Sequence, residues 1–172
     1  ANCSHLISFI YPLVEFLCLA LSICAVYFLG FGWHLIYVLG FIWIVLCLIF
    51  IDLRTQLLPD SLTLSLLWLG LLANINGLYT PLPQAVIGAI VAYLSLWIFI
   101  NIYYLLTGKI GMGGGDFKLF AGLGAWFGVT SLPYILVIAS IPGIIFGGGY
   151  LLISGKSRNT PIPFGPFLGL AG

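Results

Sequence analysis

The chain has 172 residues, of which 62% are hydrophobic and only 5% charged, with five Lys or Arg and four Asp or Glu. A soluble domain carries roughly a quarter charged residues, and the mean hydropathy of +1.24 agrees that the apolar exterior must face lipid. A net charge of +1 leaves no electrostatic footprint for nucleic acid, and the same scarcity of charge excludes a disulfide scaffold and a disordered tail.

In chain order, the sequence opens on Ala1-Asn2-Cys3-Ser4-His5. The absence of a starting Met and the abrupt apolar end from Phe164 to Gly172 read as a fragment cut at both ends. A first apolar run over 6–29 contains Glu15 and has no basic segment before it, so it does not read as a cleavable signal peptide. Further runs lie near 31–51, 61–78, 84–106, 117–130 and 131–153, with a truncated seventh from 163 to 172. A spanning helix needs roughly 20 mostly apolar residues. The expectation is one all-α, membrane-embedded domain over 1–172, a polytopic helix bundle of about six to seven spans. The 117–130 run is short and glycine-rich, which fits a tilted or partly inserted segment. No two-residue alternation supports a β-barrel, so helices remain as the structure that satisfies its own backbone in lipid.

The connections separate by charge. Arg54, Lys109, Lys118, Lys156 and Arg158 flank every second connection, and the turns near 30–33, 76–83 and 130–133 have no basic residue. All the basic residues therefore fall on one side, which the positive-inside rule makes cytoplasmic. Pro59, the Gly111–Gly115 stretch and Pro161, Pro163 and Pro166 put the irregular backbone on that face as well. The opposite loops read as plain turns.

With so few charges, each acid is costly near lipid and carries information. Asp52 directly follows the second run, and Asp116 closes Gly111-Met112-Gly113-Gly114-Gly115-Asp116. They are 64 residues apart, yet the topology returns both to one membrane edge. Two carboxylates at the same depth on neighbouring helix ends suit an aspartyl protease pair, in which one stays protonated because two close negative charges cannot both persist. Glycines before Asp116, including Gly113 and Gly115, allow an extended substrate backbone to approach, although glycine also packs membrane helices together. The competing reading is an interfacial ion pair of Asp52 or Asp116 with Arg54 or Lys118. Asp60, after Pro59, reads as a cap for the third helix. Glu15 is either a buried polar contact or a substrate-binding group. His5 and His34 lack partners at metal-ligand spacing, and Cys18, Cys24 and Cys47 read as small apolar residues.

Four ordered segments then resemble the bacterial type IV prepilin peptidases, polytopic GxGD-type aspartyl proteases of the inner membrane. They are Tyr11-Pro12-Leu13-Val14-Glu15, Asp52 with Pro59-Asp60, Gly113-Gly114-Gly115-Asp116-Phe117-Lys118-Leu119, and Ile162-Pro163-Phe164-Gly165-Pro166. The resemblance implies cleavage of the basic leader of prepilins and pseudopilins at the cytoplasmic face, serving pili or type II secretion, with Asp52 and Asp116 as the catalytic pair. It also implies methylation of the new N-terminus with S-adenosylmethionine, for which the composition shows no nucleotide-binding loop. By the same resemblance, Cys3 is the remnant of a zinc-binding insert carrying two C-x-x-C pairs, and proteolysis itself needs no cofactor. Lys118 would either lie near the pair, tuning a carboxylate or holding a substrate carbonyl, or snorkel toward lipid phosphate. Arg54 reads as an interface anchor, and Glu15 would face the basic leader. The alternatives are a preflagellin- or presenilin-like aspartyl protease, and a transporter or proton channel using Asp52 and Asp116 as a relay.

Overall fold

In the computed structural model, residues 9–108, 112–154 and 164–172 are described, the side chains of 146–154 excepted. The apolar runs become helices α1 (Ile10–Leu29), α2 (Trp33–Thr55), α3 (Asp60–Ala73), α4 (Leu82–Thr107), α5 (Gly114–Phe127), α6 (Leu132–Ser154) and α7 (Gly165–Ala171), with no strand among the described residues. The chain is thus an all-helical membrane protein.

Helix lengths differ from the lengths of the apolar runs. α3 and α5 have 14 residues each, which at about 1.5 Å per residue reach roughly 21 Å, short of the roughly 30 Å hydrocarbon core. Three described helices, α1, α2 and α4, are long and apolar enough to cross a membrane. A fourth span is reached only if α5 and the following segment are counted as one, and these are bent by 119° at their break. The break is at Gly128, whose φ of +77° is in the left-handed region that glycine occupies without penalty. α5 is buried on nearly all sides, by Phe117, Leu119, Phe120, Leu123 and Trp126 among others. An interrupted helix at membrane depth is tolerated where protein rather than lipid surrounds it.

Small residues bring the layers together. Ala85, Gly88 and Ala92 are the buried stripe of α4, and a Cβ at Gly88 would stand 2.5 Å from the carbonyl oxygen of Gly124 on α5. Backbone-to-backbone approach of this kind is how membrane helices pack without a hydrophobic driving force between them. On the other side, the Trp126 indole donates to the Leu66 carbonyl of α3 at 2.9 Å and lies on Gly70.

One of the outer turns is not plain. Asn74, fully buried, donates from Nδ2 to the carbonyls of Ala125 and Trp126, both at 2.9 Å. Its Oδ1 accepts from the amides of Tyr79 at 3.0 Å and Thr80 at 3.1 Å. This one side chain caps the end of α5 and folds the α3–α4 turn over it. The position of α5, and of everything on its first turn, is therefore set against α3 and α4.

Candidate active site

Four helix ends converge at one edge of the bundle. α2 stops just beyond Asp52: the Gln56 amide donates back to the Asp52 carbonyl at 2.9 Å, and Gln56 itself has φ +53°. The Thr55 hydroxyl donates to the Ile51 carbonyl at 2.9 Å, finishing the last turn. Pro59, with extended ψ, then starts α3. α5 begins with Gly113 as N-cap, and Asp116 falls in its first turn. The Gly113 amide faces the Asp116 carboxylate, the placement of a capping-box carboxylate. α7 begins at Gly165, whose amide faces the Asp52 carboxylate.

Asp52 and Asp116 are both buried, 4% and 8% exposed, and their carboxylates are within electrostatic reach of each other. Oδ2 of Asp52 is buried without a hydrogen-bond partner. Buried carboxylate oxygens normally have partners, so this atom is available for a proton, a water or a substrate. Next to them, the backbone of Gly113 and Gly114 is exposed, and nothing stands within 4 Å of a Cβ built on Gly114.

The two described cations, Lys118 and Arg54, are placed elsewhere. Lys118 Nζ donates to Asp60 Oδ1 at 2.6 Å, tying the start of α3 to the second turn of α5. The Arg54 guanidinium is 5.9 Å from the Tyr11 ring centroid, joining α2 to α1. Among the described residues, neither Asp52 nor Asp116 is salt-bridged, so the interfacial ion pair expected as the competing reading is not formed. The capping role expected for Asp60 is also corrected. Pro59 is the N-cap and no side chain caps the helix; Asp60 instead bonds Lys118 while sitting favourably in the first turn of α3. Lys118 accordingly neither touches the pair nor snorkels free. Glu15 is exposed on α1, one turn from Tyr11, and has no hydrogen bond or ion pair with any described residue.

Two participants had no signal as site residues in the sequence. Leu58 is one apolar residue among many, and Gly165 stood only inside a quoted segment. In the structure they touch each other's space and that of Asp52 and Gly115.

With this geometry in place, comparison with known proteins decides the family. Residues 39–148 match the type IV leader peptidase family. The chain belongs to that family. It is similar to a prepilin leader peptidase/N-methyltransferase of Legionella pneumophila, 54% identical over 99% of this chain and 60% of the relative. Similar proteins of the same name occur in Aeromonas salmonicida (strain A449), 51% identical over 99% of this chain and 59% of the relative, and in Pseudomonas aeruginosa, 45% identical over 100% and 59%. The chain spans about 60% of the length of these curated relatives. No solved structure matches it. Both carboxylates of the site lie within the matched residues.

For zinc, no three His, Cys, Asp or Glu side chains come together among the described residues, so these residues do not fit a structural zinc site, which takes about four ligands. Cys3 and His5 lie outside the described residues, as do Lys109, Gly111, Lys156 and Arg158. For S-adenosylmethionine, the cavity of about 370 Å³ between α3, α4 and α5 is lined by Leu67, Leu71, Val86, Ile90 and Tyr93, with two alanines. That apolar wall does not fit a ligand with a ribose and a zwitterionic amino acid.

Proposed function

We propose that this chain carries the catalytic centre of a membrane aspartyl endopeptidase that removes the basic leader of type IV prepilins and pseudopilins. The centre works at the cytoplasmic face of the bacterial inner membrane. The observation that carries the reading is the meeting of two buried, unsalted carboxylates, Asp52 and Asp116, at one edge of an apolar helix bundle. Family membership and the names of the relatives support the choice of substrate, and the basic residues flanking these connections support the sidedness.

The chemistry needs one ionised and one protonated carboxyl. The ionised member takes a proton from a water as the water oxygen attacks the scissile carbonyl carbon. Its partner gives a proton to the carbonyl oxygen, so that charge does not build up on it. Collapse of the tetrahedral intermediate breaks the C–N bond as the former carbonyl oxygen returns its proton to the partner carboxylate, and the proton gained from water passes to the leaving nitrogen. The open Gly113–Gly114 backbone admits an extended substrate strand beside Asp116, with Gly115 packed behind. Lys118 supports the centre through Asp60 rather than by contact. Glu15, an acid of the first helix without a partner among the described residues, faces the basic leader.

Methylation of the newly exposed amine with S-adenosylmethionine as methyl donor is the second half of the proposal. It rests on the names of the relatives and on no described residue of this chain. The test for proteolysis incubates the full-length protein with a prepilin in detergent and follows leader loss on a gel. Mass measurement of the product N-terminus reads methylation separately. A prepilin left intact would contradict the peptidase reading.

A further inference from the structure

Leu58 lies in the loop between α2 and α3, half-buried. Two glycines from distant segments approach it. A Cβ built on Gly115, the residue before Asp116, would stand 2.6 Å from Leu58 Cβ and 3.3 Å from its Cδ1. A Cβ built on Gly165 would stand 3.3 Å from Leu58 Cδ1 and 2.6 Å from Asp52 Oδ2. Real Cβ atoms do not approach so closely, so both positions must lack one, and both absences are explained by the same leucine and the carboxylate next to it.

We infer that Leu58 is a spacer whose side chain, seated between Gly115 and Gly165, sets the distance and mutual orientation of the Asp52 and Asp116 carboxylates. The first turn of α7 thereby becomes the third wall of the site. The helix start carrying Asp116 packs on Leu58 through Gly115, and the turn that faces Asp52 packs on it through Gly165. Protein interiors are close-packed and transmit displacement, so a change in the shape of this one side chain moves one carboxyl against the other. The inference rests on the aspartyl peptidase reading above and assigns Leu58, Gly115 and Gly165 as positioning residues for that reaction.

The test uses the full-length protein, purified in detergent, with a prepilin as substrate and kcat and KM measured separately. Gly165→Ala forces Asp52 to turn or α7 to retreat. A misplacement of about 1 Å costs up to a hundredfold, so kcat should fall roughly tenfold or more with KM within about twofold. Leu58→Ala, which removes Cδ1, should by itself lower kcat by a similar factor. Combined with Gly165→Ala it gives the added methyl somewhere to go, so kcat should recover at least about threefold over Gly165→Ala alone. Parent-like kcat in Gly165→Ala, losses that multiply in the double variant, or a change confined to KM would each overturn the inference.

Leu58→Ile guards against loss of folding. It keeps the volume, a change that cores usually tolerate, but adds a branch at the carbon facing Gly115. It should melt with the parent and still lose roughly fivefold or more in kcat; parent kcat with parent melting overturns the inference. Asp116→Asn is run alongside. Cleavage by that variant would sink the aspartyl reading itself, whereas an inactive Asp116→Asn with parent-like Leu58 and Gly165 variants would sink only the spacer.

Discussion

Replacing Asn74 by Ala removes the staple that holds α5 in place, and its cost can be worked from the contacts it breaks. Four backbone groups lose their partner: the carbonyls of Ala125 and Trp126, and the amides of Tyr79 and Thr80. Tyr79 is 44% exposed, so water can satisfy its amide. The other three belong to buried residues, Ala125, Trp126 and Thr80. A buried group left unsatisfied costs about 1–3 kcal/mol, so three at the lower limit give about 3 kcal/mol of lost stability. Asn74→Asp keeps the shape but turns a second oxygen toward two carbonyls, and should cost at least as much. Trp126 sits at the staple, so its fluorescence during denaturant unfolding in mixed micelles reports the change directly. A loss below about 0.5 kcal/mol for Asn74→Ala would refute the reasoning and return this turn to the plain loop that the sequence suggested.

Gly88→Ala would place a methyl 2.5 Å from the Gly124 carbonyl oxygen and 2.8 Å from the backbone of Gly128. Backbone cannot swing aside as a side chain can, so the same unfolding assay should read a loss of about 1–3 kcal/mol or more. Trp126→Phe deletes one buried indole hydrogen bond to Leu66 and the ring edge packed on Gly70, which together should cost at least about 2 kcal/mol. The Lys118–Asp60 bridge has an Asp60 side chain 62% exposed. A double-mutant cycle on it should give a coupling below about 1 kcal/mol that shrinks further at high salt, since exposed pairs are weak and screened. A coupling of several kcal/mol would mean that the pair is sealed from solvent in the membrane.

The helices were legible because apolar runs bounded by glycine and proline leave little choice in lipid, and the acidic pair because four acids in such a chain each demand a reason. Which runs cross the membrane was less legible. Hydropathy reads 61–78 as it reads 84–106, and only its shortness and glycines set 117–130 apart, but α3 ends at Ala73 and α5 breaks at Gly128, where Asn74 and small residues let protein replace lipid around them. Asp60 looked like a cap because it follows proline at a helix start. Its true partner, Lys118, comes from a helix far along the chain, and no local pattern encodes that contact. Leu58 was invisible for the same reason: its meaning comes from two glycines that approach it from distant segments, not from its own identity.

The central claim is that Asp52 and Asp116 act as one catalytic pair. The most direct measurement is the rate of prepilin leader cleavage by full-length Asp52→Asn and Asp116→Asn variants, each verified as folded by its melting. The account predicts that either substitution alone abolishes cleavage, by roughly a thousandfold or more, and that the double variant is no worse than the singles, because the two carboxyls work as a unit. Cleavage at the parent rate by either single variant would contradict it.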